Sequence, residues 1–152
     1  MRLGMISAWW MLKIIATVTL VVKLVAASLG IWTLSQPLVG LPAWPFQVIV
    51  VVAAGFNLRH FRILKQRAGE IGEPQVLVTR GGCFPRIRHP MYTGDLFLML
   101  GLWLLYADLW GGLITLAGVI GVIQQSRFED QQLALRFGEQ HRTWRASSRL
   151  LF

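Results

Sequence analysis

The stretch WMLKIIATVTLVVKLVAASLGIWTL, residues 10–34, decides the fold class of this chain. A helix needs about 20 mostly apolar residues to cross the hydrocarbon core of a bilayer, and this run exceeds that length. Trp9 and Trp10 stand at one end and Trp32 at the other. At about 1.5 Å per residue they fall roughly 33 Å apart, the separation of two interfacial aromatic belts. The basic residues Arg2 and Lys13, the apolar run and the Val25-Ala26-Ala27 triplet also imitate a cleavable signal peptide. Lys23 interrupts the apolar core, however, and the hydrophobic stretch continues through Leu34, so a retained transmembrane helix is expected.

Composition extends that reading to the whole chain. Of the 152 residues 55% are hydrophobic and only 14% charged, and the mean hydropathy is +0.54. Soluble domains carry about 25% charged residues. One domain is expected for this length. The net charge of +8 suggests an anionic partner. Because the basic residues alternate with long apolar runs, that partner is a lipid headgroup surface and not a nucleic acid. With Cys83 as the single cysteine, an intrachain disulfide is excluded and no metal site is expected.

Outward from the first segment, three more apolar segments can be drawn, at about residues 42–58, 91–106 and 109–124. Pro42 and Pro45 fall in the first turn of the second, where proline is tolerated. The last two are separated by Asp108, Trp110, Gly111 and Gly112, which predict a helical hairpin in place of one very long helix. Its arms are short, about 15 residues each, against the roughly 20 needed to span a bilayer. The expected fold is therefore all-α and polytopic, with about four transmembrane helices. A loop at 59–90 joins the two halves, its start continuing helically from the second span. Residues 76–79 read as extended chain, followed by a turn at Arg80-Gly81-Gly82. An amphipathic C-terminal helix is expected at 125–147, with Leu133 and Phe137 on its apolar stripe.

Charge fixes the expected orientation. The 59–90 loop carries Arg59, Arg62, Lys65, Arg67, Arg80, Arg86 and Arg88, and the C-terminal segment carries Arg127, Arg136, Arg142, Arg145 and Arg149. Residues 36–41 carry no charge, and the hairpin turn carries only Asp108. The positive-inside rule places both termini and the central loop in the cytoplasm.

No dinucleotide glycine fingerprint, P-loop, HExxH or GxSxG occurs. Two constellations remain. One is Arg86-Ile87-Arg88-His89-Pro90-Met91-Tyr92-Thr93-Gly94-Asp95, at the threshold of the third segment. Proline there presets a helix start, and the backbone N–H groups of a first turn suit an anion. The same residues also serve as ordinary interfacial anchors. The other is the Glu129-Asp130 pair on an otherwise basic side. It suits a cationic ligand or the hydroxyls of a ribose, or it neutralises neighbouring arginines.

Taken in order, Leu77-Val78-Thr79-Arg80-Gly81, then Arg88 to Gly94, then a hydrophobic hairpin, then Glu129-Asp130, Leu133 and Phe137-Gly138 resemble the isoprenylcysteine carboxyl methyltransferase family and its phospholipid N-methyltransferase relatives. The resemblance covers about half the chain, from Val76 onward. It implies an integral membrane enzyme that uses S-adenosylmethionine, with the cofactor cupped between the central loop, the hairpin and the C-terminal helix. Carried over by position, His89, Tyr92 and Gly94 would line the cofactor site, Glu129 would hold its polar end, and the backbone from Leu77 to Gly81 would contact it. Arg88 is the first candidate, and Arg127 the second, to hold an anionic methyl acceptor. Where that family continues with two tyrosines after the Phe-Gly pair, this chain has His141 and Trp144. Asp130 replaces a second glutamate, the 82–87 loop is about one residue longer, and the closing proline is missing. These departures bear on the acceptor more than on the cofactor.

A lipidic or lipid-linked acceptor is thus expected, an isoprenylcysteine-like carboxyl first and a phospholipid amine next. A membrane reductase and a non-catalytic membrane scaffold are the readings from other classes. Two charges also lie within apolar stretches, Lys23 and Asp95. Charges in lipid tend to pair, so Lys23 is expected to face the bundle and meet Asp95; the alternative is a snorkelling Lys23 with an interfacial Asp95.

Overall fold

The computed structural model describes residues 7–31, 42–68, 75–105 and 107–151. Trp32, the end of the first apolar run, the uncharged 36–41 connection and Tyr106 lie outside the described residues. Four helices make up the fold, in the order α1 (Ala8–Ser28), α2 (Trp44–Ala68), α3 (Pro90–Leu104) and α4 (Leu109–Ser147). Among the described residues there is one isolated parallel bridge, Ile87 to Arg149, and no longer strand.

α1 starts at Ser7, whose hydroxyl accepts the Trp10 N–H at 3.3 Å and so caps the first turn. α2 begins two residues later than the sequence suggests, leaving Pro42 outside and Pro45 in the first turn. It continues without a break past residue 58, carrying Arg59, Arg62, Lys65 and Arg67 out beyond the apolar segment. α1, α2 and α4 are long and apolar enough to cross a membrane. α3, with 15 residues, rises only about 22 Å.

α1 packs along α4, α2 packs along α3, and α3 touches all three others, whereas α2 meets neither α1 nor α4. Small residues allow the closest approaches. A Cβ on Gly121 would stand 3.0 Å from the Lys13 nitrogen and the Trp9 carbonyl of α1. The main core runs through Ala16, Leu20, Met99, Leu102 and Val122. Large apolar side chains face outward on all four helices, including Val22, Val51, Val52, Phe97 and Leu109. A surface of that kind is satisfied by hydrocarbon and not by water.

The span expected at 109–124 and the helix expected at 125–147 join in one continuous α4. It kinks at Gly138, whose φ of 49° and ψ of −117° only glycine adopts easily. Nothing between 123 and 138 stops a helix, because Gln, Glu, Arg and Leu there are good helix formers. The charge pairing differs from the expected one. Lys23 bonds Asp108, not Asp95, and Lys13 takes Asp95 at 2.6 Å. Depth explains the exchange. Lys13 lies six residues into α1 from Ser7, and Asp95 six residues beyond His89, so both sit about 9 Å below the same end. Lys23 lies ten residues deeper, level with the α3–α4 turn. There Asp108 also accepts the Gly111 N–H and caps α4.

Candidate functional site

Everything polar that the motif supplies gathers at the basic end of the bundle. The C-terminal tail folds back beside the residues before α3. The Arg88 N–H donates to the Arg149 carbonyl at 2.8 Å, the Arg149 N–H to the Arg86 carbonyl at 2.7 Å, and the His89 N–H to the Leu150 carbonyl at 3.2 Å. The Thr93 hydroxyl donates to the Leu151 carbonyl. The start of α3 is thereby held by backbone pairing on a chain segment that is distant in sequence. Pro90, with no N–H to satisfy, fits the first helical position.

On that scaffold α3 and α4 bring His89, Tyr92, Glu129 and Asp130 together, all of them buried. The Tyr92 hydroxyl donates to Glu129 Oε1, and Gln125 Nε2 donates to the same oxygen at 2.9 Å. His89 stacks on Tyr92 with ring centroids 5.6 Å apart. Its Nδ1 lies 3.6 Å from Glu129 Oε2 and its Nε2 3.9 Å from Asp130 Oδ1, both beyond a good hydrogen bond. His89 Nε2 is buried with no hydrogen-bond partner, a condition that costs on the order of 1–3 kcal/mol unless a ligand meets it.

Beside this group lies a buried ion cluster. Arg88 Nε is 2.8 Å from Asp130 Oδ1, and His141 Nε2 is 3.1 Å from the same oxygen. Arg88 Nη1 also donates to the Ser148 carbonyl at 2.7 Å and to the Arg145 carbonyl at 3.3 Å. Asp130 lies beyond the apolar part of α4, which ends at Ile123. Burial works against ionisation of its carboxyl. The adjacent His89, Arg88 and His141 outweigh that penalty and hold it at about 2, below the ordinary 3.8.

The other expected residues occupy different surroundings. Gly94 presses against Asn57 of α2, so closely that any Cβ would strike the amide oxygen. Leu77 is buried in a second apolar cluster with Ala68, Val78, Phe84 and Trp144. Gly81 (φ 95°) sits at the turn beyond it, against Ile63 and Arg67. The loop is latched to α2 by His60. Its Nδ1 meets the Phe56 carbonyl at 2.8 Å, and its Nε2 accepts the Cys83 N–H at 3.0 Å. That pattern puts the proton on Nδ1. Gly82, at φ 52°, has no room for a side chain over the imidazole. Arg127 is exposed, about 200° around α4 from Glu129. Between loop and helix opens a cavity of about 490 Å³ lined by Thr79, Arg80, Pro85, Gln140, Thr143, Trp144 and Ser147. Trp144 donates to the Phe84 carbonyl at 2.9 Å and meets His141 edge-on.

Sequence reasoning missed several contributors. Gln125, His141, Asn57 and Lys13 all bond or touch the motif residues. For Asn57 and Lys13 the available signal was a polar residue inside an apolar helix. For His141 it was the departure from tyrosine.

This arrangement offers two buried carboxylates and an unpartnered imidazole nitrogen. Such a set suits a ligand bearing an ammonium group and hydroxyls. A search of curated proteins and one of solved structures each returned no significant match. The profile of the phospholipid methyltransferase family matches residues 35–140, which span α2, the loop, α3 and most of α4. With that match covering more than two thirds of its length, the chain belongs to the phospholipid methyltransferase family, a family of membrane methyltransferases.

Proposed function

We propose that this protein transfers a methyl group from S-adenosylmethionine to a lipidic or lipid-linked acceptor at the basic, cytoplasmic end of the bundle. The observation that carries the reading is the buried group formed by His89, Tyr92, Glu129 and Asp130, in which His89 Nε2 has no partner. When bound, the cofactor supplies a methyl group already activated on a sulfonium, so the protein's task is alignment and exclusion of water. Glu129, fixed by Tyr92 and Gln125, would hold an ammonium group. Asp130 and His89 Nε2 would meet hydroxyls, with Gly94 packed close beneath and the Leu77–Gly81 backbone alongside. Arg88 is tied to Asp130 and the C-terminal tail, so in this reading it mainly braces the carboxylate. Arg127 faces outward on the side of α4 away from Glu129, so in this reading it meets lipid headgroups and not the acceptor at the site.

An isoprenylcysteine-like carboxyl is the first choice of acceptor, supported by the motif order from Leu77 to Gly138. It arrives ionised and needs no general base, consistent with a site whose carboxylates are already engaged. A phospholipid amine is the second reading, favoured by the family match, and would have to lose a proton before attack. The test is transfer of labelled methyl from S-adenosylmethionine by the purified protein, offered prenylated cysteine analogues and phosphatidylethanolamine separately. Label in the cysteine analogue alone supports the first choice. Label in the phospholipid alone overturns it in favour of the second, and label in neither overturns the proposed acceptor class.

A further inference from the structure

The family match begins at residue 35 and so leaves out α1 entirely. Yet α1 reaches the site. Lys13 is buried and its Nζ donates to Asp95 Oδ2 at 2.6 Å. The other oxygen of Asp95 accepts Asn57 Nδ2 at 2.7 Å. One carboxylate on α3 thus binds α1 and α2 at once, immediately after the His89–Gly94 motif. The Lys13 Nζ also lies 4.3 Å from the centroid of the Tyr92 ring, whose hydroxyl bonds Glu129. It is therefore the α1 charge nearest the carboxylate proposed to hold the cofactor, with Asp95 paired to it.

Such a pair need not exist for stability, because buried ion pairs roughly break even against apolar packing. Its placement has an electrostatic consequence, since a fixed charge in a dry site acts over several ångströms with little screening. Intact, the two charges nearly cancel at the site. Each alone would favour or oppose a cation bound there.

We propose that Lys13 and Asp95, braced by Asn57, are positioning residues of the cofactor site whose balanced charges set its preference between a cationic sulfonium and the neutral thioether product. This inference rests on the proposed use of S-adenosylmethionine.

The test is the ratio of dissociation constants for S-adenosylmethionine and S-adenosylhomocysteine, measured by calorimetry on the full-length protein in nanodiscs. Asp95→Asn leaves the ammonium uncompensated and should weaken the sulfonium at least about threefold more than the thioether. Lys13→Met leaves the carboxylate and should shift the ratio by a similar factor the other way. Lys13→Met/Asp95→Asn should restore the wild-type ratio. A purely structural pair would weaken both ligands equally, so an unchanged ratio in the two single variants overturns the proposal. Should Lys13→Met fail to fold, Lys13→Gln, which removes the charge but keeps a hydrogen-bonding partner for Asp95, decides. It must move the ratio toward the sulfonium, and no movement overturns the proposal. Failure of the wild-type protein to bind either ligand would instead refute the proposed function.

Discussion

Gly94 and His60 show how single residues fix the geometry around the motif. At Gly94 the amide of Asn57 occupies the space of a Cβ, so Gly94→Ala must push α2 away from α3 or break the Asn57–Asp95 bond. Overpacking of this kind costs about 1–3 kcal/mol, and we expect a lower melting temperature in detergent together with weaker cofactor binding. At His60 the neutral imidazole bridges Phe56 and Cys83. His60→Ala should leave the bundle folded but free the 77–84 loop, read out as faster limited proteolysis between Leu77 and Arg86. The motif itself was legible at this scale: His89, Tyr92 and Glu129 converge from positions 37 and 40 residues apart. The partners were not legible, because Asn57 and His60 look like stray polar residues until α2 is laid against α3 and the loop.

At the scale of elements, α4 shows what hydrophobicity reads well and badly. The apolar run announces the membrane segment, but nothing in it marks where the helix stops, and the chain continues helically for another two dozen residues before Ser148. The span and the helix after it are one element because a change from apolar to polar residues ends a span without ending a helix. The Lys23–Asp95 pairing fails for a related reason. Both residues were identified as buried charges, but the partner depends on helix depth and direction, which a list of charges does not contain. Lys23 is buried but Asp108 only partly so, so breaking the pair costs less than the roughly 3–5 kcal/mol of a fully buried one. Lys23→Met should therefore destabilise the α3–α4 turn, and Lys23→Met/Asp108→Asn should recover much of the loss, as measured by thermal unfolding. The end of α4 also carries a pH signature. Because the folded Asp130 carboxyl is held at about 2, against the ordinary 3.8, its ionisation stabilises the fold above about pH 4. That contribution is lost as pH falls through 2. Asp130→Asn should lower stability at neutral pH and flatten the acid limb of an unfolding titration.

On the scale of the whole molecule, four helices share one polar seam. Ser7 and Lys13 of α1, Asn57 of α2, Tyr92 and Asp95 of α3, and Gln125 and Glu129 of α4 are joined through it. The class of this architecture could be read from composition and apolar runs, since all backbone groups must be satisfied internally in lipid and helices do that within each segment. The seam could not, because it exists only once the helices are assembled. The orientation drawn from the arginine-rich segments can be checked directly. In a Cys83→Ser background, cysteines placed at Glu139 and at Trp110 should be labelled by an impermeant thiol reagent from opposite sides, Glu139 from the cytoplasm. The central claim is that the seam ends in a cofactor site built on His89, Tyr92 and Glu129. Its most direct test is calorimetric titration of S-adenosylmethionine into the purified wild-type protein and its His89→Ala and Glu129→Ala variants. Saturable binding by the wild type, weakened at least about tenfold in each variant, a loss of about 1.4 kcal/mol or more, is the predicted result; absence of wild-type binding, or equal binding by all three, would contradict it.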